Sequence, residues 1–127
     1  MLGYVSLGTN DFARATAFYD ELLSLVGAQR AWDSDGFVAW GNKPGGAGLA
    51  VTKPYDGEPA TIGNGVMVAI AAPDRAAVDK IYEKAIELGA KCEGGPGLRG
   101  GDDSTFYAAY FRDPDGNKLN AFYMGPA

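Results

Sequence analysis

The sequence contains no histidine and a single cysteine, Cys92. Without an imidazole there is no Ser-His-Asp or Cys-His catalysis, and no metal site that depends on histidine. A carboxylate-only site for a hard cation survives that exclusion, provided acidic residues cluster. One cysteine cannot form an internal disulfide, which suits a reducing compartment. No apolar run approaches the roughly 20 residues of a membrane span. The opening Met1–Tyr4 lacks the basic stretch of a signal peptide, so a cytoplasmic location and no membrane partner are expected. Basic residues number 11 against 16 acidic ones, a net charge of −5. That balance disfavours nucleic acid and anionic surfaces as partners.

What is present is the material of a core. Apolar residues make up 46% of 127 positions, with two Trp, seven Tyr and six Phe. A chain of this length buries about two-thirds of its unfolded surface. The order of its elements repeats. Tyr4–Thr9 alternates as a short strand, Asn10-Asp11 caps a helix, and Phe12, Ala15, Tyr19, Leu22, Leu23 and Val26 fall at helical spacing before Gly27. In the second half Val66–Ala71 reads as a strand and Pro73-Asp74 opens a helix. Its apolar face is Ala77, Val78, Ile81, Ala85 and Leu88, and Gly89 stops it. Gly27-Ala28 and Gly89-Ala90 close the two helices with the same letters.

Three strand-like runs follow each helix: Ala28–Asp33, Phe37–Gly41 and Gly48–Lys53, then Ala90–Gly94, Phe106–Arg112 and Lys118–Met124. Asp113-Pro114-Asp115-Gly116 is a turn signal between the last two. Gly94–Ser104 carries five glycines without periodicity and reads as a mobile loop. The chain is therefore expected to be a single α+β domain, residues 1–127, of tandem βαβββ units. Unit one spans 1–53, a linker 54–64, and unit two 65–127. Such units form a curved mixed β-sheet with an open concave cleft and helices on the convex side. The shorter βαβ repeat of a ferredoxin-like fold lacks the extra hairpin.

Gly3–Leu7, Asn10-Asp11 and Ala17-Phe18-Tyr19, together with Tyr110-Phe111-Arg112-Asp113-Pro114-Asp115-Gly116-Asn117, resemble the opening and closing motifs of the vicinal oxygen chelate superfamily. That superfamily includes glyoxalase I, bleomycin-resistance proteins, fosfomycin-resistance enzymes and extradiol dioxygenases. The resemblance implies metal-ligand positions at Tyr4, Met67, Asn120 and near Leu49, where the metal enzymes carry mostly His, Gln and Glu. Met is a soft ligand and Asn a weak neutral donor. The resemblance thus implies a version stripped of its metal, with no cofactor and no assigned catalytic residue.

Period-two alternation assigns faces independently. Val5 and Leu7 suit the core, leaving Tyr4, Ser6 and Gly8 on the open side. Val66, Val68 and Ile70 form the next core row, leaving Met67, Ala69 and Ala71 open. Leu119 and Ala121 are core, leaving Lys118, Asn120 and Phe122 open. Tyr110 joins them if Phe111 is core. Trp32 and Trp40 suit either the open face or core and dimer packing, and Trp40 is grouped with the open-face set. The expected ligand-binding residues are Tyr4, Ser6, Trp40, Met67, Tyr110, Asn120 and Phe122. Gap-filling is the plainer reading of Met67, and a satisfied edge amide that of Asn120. Asp102-Asp103 reads as a solvated loop. Arg99, Arg112 and Lys118 suit an anionic substrate group or a solvated surface equally.

The function expected from this reading is metal-independent binding of a small molecule by a homodimer. Sequestration of a cationic aromatic compound, as in bleomycin-resistance proteins, is compatible with the net charge. The alternatives are a glyoxalase-like lyase or isomerase, or a dioxygenase-related enzyme, acting on a small carbonyl or aromatic substrate. A dimerising module with an empty cleft is the third reading.

Overall fold

The computed structural model describes residues 1–127, which divide into two compact units, Met1–Asn64 and Gly65–Ala127. Each unit carries one helix and its own four-stranded mixed sheet, open rather than closed into a barrel. No helix is long and apolar enough to cross a membrane.

Unit one contains β1 (Tyr4–Gly8), α1 (Phe12–Ser24), β2 (Gln29–Ser34), β3 (Phe37–Gly41) and β4 (Gly48–Thr52). The Asp11 side chain accepts the backbone N–H of Arg14, satisfying a donor that the first helical turn leaves unpaired. At the other end Gly27 adopts a φ of +73°, and the Ala28 N–H reaches back to the Leu23 carbonyl. The helix buries Ala15, Thr16, Phe18, Tyr19, Leu22 and Leu23. Burial of one such Leu or Phe contributes roughly 1.5–3 kcal/mol. The sheet order is β1-β4-β3-β2, with β1 parallel to β4 and the other pairs antiparallel.

Unit two repeats that plan with β5 (Val68–Ala71), α2 (Arg75–Glu87), β6 (Lys91–Arg99), β7 (Phe106–Arg112) and β8 (Lys118–Met124). Asp74 caps α2 by accepting the Ala77 N–H, and Gly89 ends it at φ +103°. The sheet order is β5-β8-β7-β6, and the first strand again lies parallel to the last. The duplicated sequence thus gives a duplicated topology. α2 packs on β6, β7 and β8 through Val78, Ile81 and Ala85. Between β7 and β8, Asp113 accepts the N–H groups of Asp115 and Asn117, and the Gly116 N–H bonds the Asp113 carbonyl.

Three local expectations are corrected. β5 starts at Val68, so Met67 precedes the strand, and Val66 is exposed rather than part of a core row. The glycine-rich segment is strand as far as Arg99, paired with β7 through two register shifts, which leaves only residues 100–105 as the connection. β8 is flanked by β5 and β7, so Asn120 sits on an interior strand and not an edge.

Candidate functional site

In unit two, alternation along β7 is settled by Tyr107, whose hydroxyl donates to Asp79 of α2 at 2.7 Å. Asp79 raises the pKa of that phenol. Residues of the same parity, Tyr107, Ala109 and Phe111, therefore face the helix, and Phe106, Ala108, Tyr110 and Arg112 face away from it. On β8 the cross-strand register puts Lys118 opposite Arg112, Asn120 opposite Tyr110, Phe122 opposite Ala108 and Met124 opposite Phe106. The open face thus runs from charged through polar to apolar along the strands. Phe106 and Phe122 stack there at 5.8 Å between ring centroids.

The polar middle is unusual in two respects. Asn120 is 1% exposed, and its Oδ1 has no hydrogen-bond partner. The Tyr110 ring carries two cations, the Arg99 guanidinium at 5.5 Å and the Lys118 ammonium at 5.6 Å from its centroid. The Arg112 guanidinium bonds the Glu93 carboxylate and holds its pKa below the usual range.

In unit one, the register puts Tyr4, Ser6 and Gly8 on the face away from α1, with Leu7 buried on the helix side. Tyr4 is exposed and meets Phe37 edge to face at 6.0 Å. Trp40 is not on that face. It is 2% exposed, packs 5.8 Å from the Tyr19 ring, and donates its indole N–H to Asp20 of α1 at 2.9 Å. Its size suited an open aromatic site, but the hydrogen bond to the helix turns it into the core. Arg30 also holds Asp20 in a two-point ion pair, and together they lower the Asp20 pKa. Trp32, the other indole, is exposed.

A cavity of about 410 Å³ in unit one is lined by none of the expected ligand-binding residues. It is lined by Thr9, Asn10, Phe12, Lys53, Pro54 and Glu58 among others. The Asn10 side chain ties down the connecting segment beside it, donating to the Ala60 carbonyl and accepting the Ala60 N–H. Asn10 read locally as part of a helix cap, so this long-range pairing had no sequence signal.

The family resemblance implies four metal-ligand positions, two in each unit. Unit two offers the exposed thioether of Met67 and the neutral amide of Asn120; unit one offers the phenol of Tyr4 and the aliphatic Leu49. Imidazole, thiolate and carboxylate, the groups that give such sites their affinity, stand at none of these positions.

A family model described as the Glyoxalase/Bleomycin resistance protein/Dioxygenase superfamily matches residues 1–121. No curated protein matches the chain. A solved glyoxalase/bleomycin resistance protein from Albidiferax ferrireducens T118 is 32% identical, with a TM-score of 0.86 over 98% of this chain and 99% of its own. A glyoxalase/bleomycin resistance protein/dioxygenase family enzyme from Burkholderia phytofirmans PsJN is 22% identical, with a TM-score of 0.74 over 97% and 98%. A glyoxalase-related enzyme from Fulvimarina pelagi shares the fold at 16% identity, with a TM-score of 0.72 over 97% and 87%. The duplicated βαβββ units, the Asp113–Asn117 turn and a match over nearly all of its length establish that the chain belongs to the Glyoxalase/Bleomycin resistance protein/Dioxygenase superfamily.

Proposed function

We propose that this protein binds a small organic molecule without a metal ion, as a cytoplasmic homodimer. The observation that carries the reading is the residue set at the family's donor positions. Tyr4, Met67 and Asn120 stand where metal-dependent relatives place strong donors, and the chain has no histidine to substitute for them. Proton abstraction beside a carbonyl needs a base and a group that holds the developing oxyanion. Neither a histidine nor a carboxylate stands at Met67 or Asn120, which weighs against the lyase and dioxygenase readings. The open face of unit two instead offers binding chemistry: aromatic surface at Phe106 and Phe122, cations at Arg99 and Lys118, and a buried amide at Asn120.

The test pairs two measurements on the purified chain. Elemental analysis finds less than one equivalent of zinc, nickel, manganese or iron, and a thermal-shift screen of aromatic acids, alcohols and amines finds at least one compound that raises Tm. Isomerisation of the methylglyoxal–glutathione adduct dependent on an added metal would replace this reading with the enzyme.

A further inference from the structure

Lys53 and Glu58 line one cavity in unit one with charges of opposite sign, and neither belongs to an ion pair. We propose that this cavity binds a zwitterionic amino acid with an apolar side chain, Lys53 taking its carboxylate and Glu58 its ammonium group. None of the open-face residues of either unit lines the cavity, so the site is independent of the metal-free binding reading.

The walls are held by their own bonds. Lys53 donates its backbone N–H to the Gly36 carbonyl at 2.9 Å, and its aliphatic stem lies against Gly36, where an added Cβ would stand 3.6 Å from Cδ. Its ammonium nitrogen ends 5.8 Å from the Phe12 ring centroid. The chain then turns: the Gly57 N–H bonds the Pro54 carbonyl at 3.1 Å, and the Glu58 N–H bonds Asp56 Oδ1 at 2.9 Å. Asn10 fixes the far end through its two bonds to Ala60. Gly8 admits that approach, since a Cβ there would stand 3.0 Å from the Ala60 Cβ. Pro54 and Pro59 restrict their own φ. A site assembled in this way leaves little ordering cost to its ligand.

The lining selects the ligand. Phe12, Pro54 and Pro59 supply apolar surface, and 410 Å³ lies near the small end of the roughly 300–1,000 Å³ typical of ligand pockets. The apolar body is therefore short, of the size of one amino-acid side chain. A purely anionic ligand answers Lys53 but meets Glu58 as a like charge in the same cavity, and a purely cationic one answers Glu58 but meets Lys53. A molecule with a carboxylate and an ammonium on one carbon answers both, and its side chain takes the apolar wall. The Phe12 ring already carries the Lys53 ammonium, so the ligand's own ammonium goes to Glu58 and not to that ring.

The test follows backbone amide shifts of the full chain by NMR during titration with L-phenylalanine, 3-phenylpropanoate and 2-phenylethylamine. These carry one ring with both charges, the carboxylate alone and the ammonium alone. Lys53 and Glu58 are exposed, so solvent screens each contact, and we expect phenylalanine to bind about fivefold tighter than either analogue. The shifts should centre on residues 53–60. Lys53→Gln weakens phenylalanine and 3-phenylpropanoate by about fivefold and leaves 2-phenylethylamine unchanged. Glu58→Gln weakens phenylalanine and 2-phenylethylamine to the same extent and leaves 3-phenylpropanoate unchanged. Lys80→Gln, on an exposed position of α2, leaves all three unchanged. Equal affinity for the three compounds, or variants that weaken both analogues alike, overturns the charge assignment. Shifts centred on the open face of unit two, or no binding of phenylalanine at millimolar concentration, overturns the site outright while the metal-free binding reading stands. A stoichiometric metal with the expected pattern intact overturns that reading and leaves this site.

Discussion

The indole N–H of Trp40 and the carboxylate of Asp20 meet at 2.9 Å, joining β3 to α1 in the core of unit one. Asp20 is held on its other side by Arg30, at 2.7 Å through Nη2. The carboxylate therefore accepts from an indole and a guanidinium at once, which explains its lowered pKa.

That relationship makes a pH prediction. A carboxyl whose folded pKa lies below its unfolded value of 3.8 contributes stability above that value, and the contribution fades as pH falls through the folded pKa. The Asp20 side chain is 40% exposed, so solvent screens the pair and the expected loss in Asp20→Asn is only about 1 kcal/mol at pH 7. Thermal melts by circular dichroism at pH 7, 5 and 3 should show parent and variant converging at the lowest pH. A constant gap across that range would remove the charge from the account.

Asn120 should cost the fold stability. Asn120→Val removes the unpaired buried acceptor and puts a β-branched side chain on an interior strand. The expected change is a gain of about 1 kcal/mol in unfolding free energy. Chemical denaturation measures the change, and a variant that loses stability would count against Oδ1 being a cost.

Metal affinity should be recoverable only in part. Met67→His with Asn120→Glu supplies one imidazole and one carboxylate, fewer ligands than a zinc site draws on. Position 120 is 1% exposed, so the introduced carboxylate is costly until a cation neutralises it. The double variant should be less stable than the parent, regain part of that loss with added zinc, and lose it again with chelator. Tight zinc binding by the unmodified chain would contradict this expectation directly.

Light scattering at micromolar concentration should give twice the chain mass of 13.3 kDa. Trp32, Leu98 and Met124 are 63%, 51% and 62% exposed, apolar surface that association would remove from water. A single-chain mass at that concentration would return these side chains to solvent and set aside the dimer.

The sequence by itself determined the duplication, both helices with their Asp caps and Gly stops, and the strands Phe37–Gly41, Phe106–Arg112 and Lys118–Met124 to the residue. These features are local, because capping, turn chemistry and period-two alternation act within a few residues of one another. Tertiary structure decided the rest. Lys91–Arg99 became strand because β7 supplied hydrogen-bond partners to a glycine run with little strand propensity of its own. Trp40 turned inward because Asp20, far from it in sequence, presented an acceptor on α1. Asn120 proved buried and unpaired, since β8 lies between two strands that no periodicity identifies as its neighbours. Charge followed the same division: the total of −5 belongs to composition, whereas the basic open face exists only because strand pairing brings Arg99 and Lys118 to one tyrosine ring.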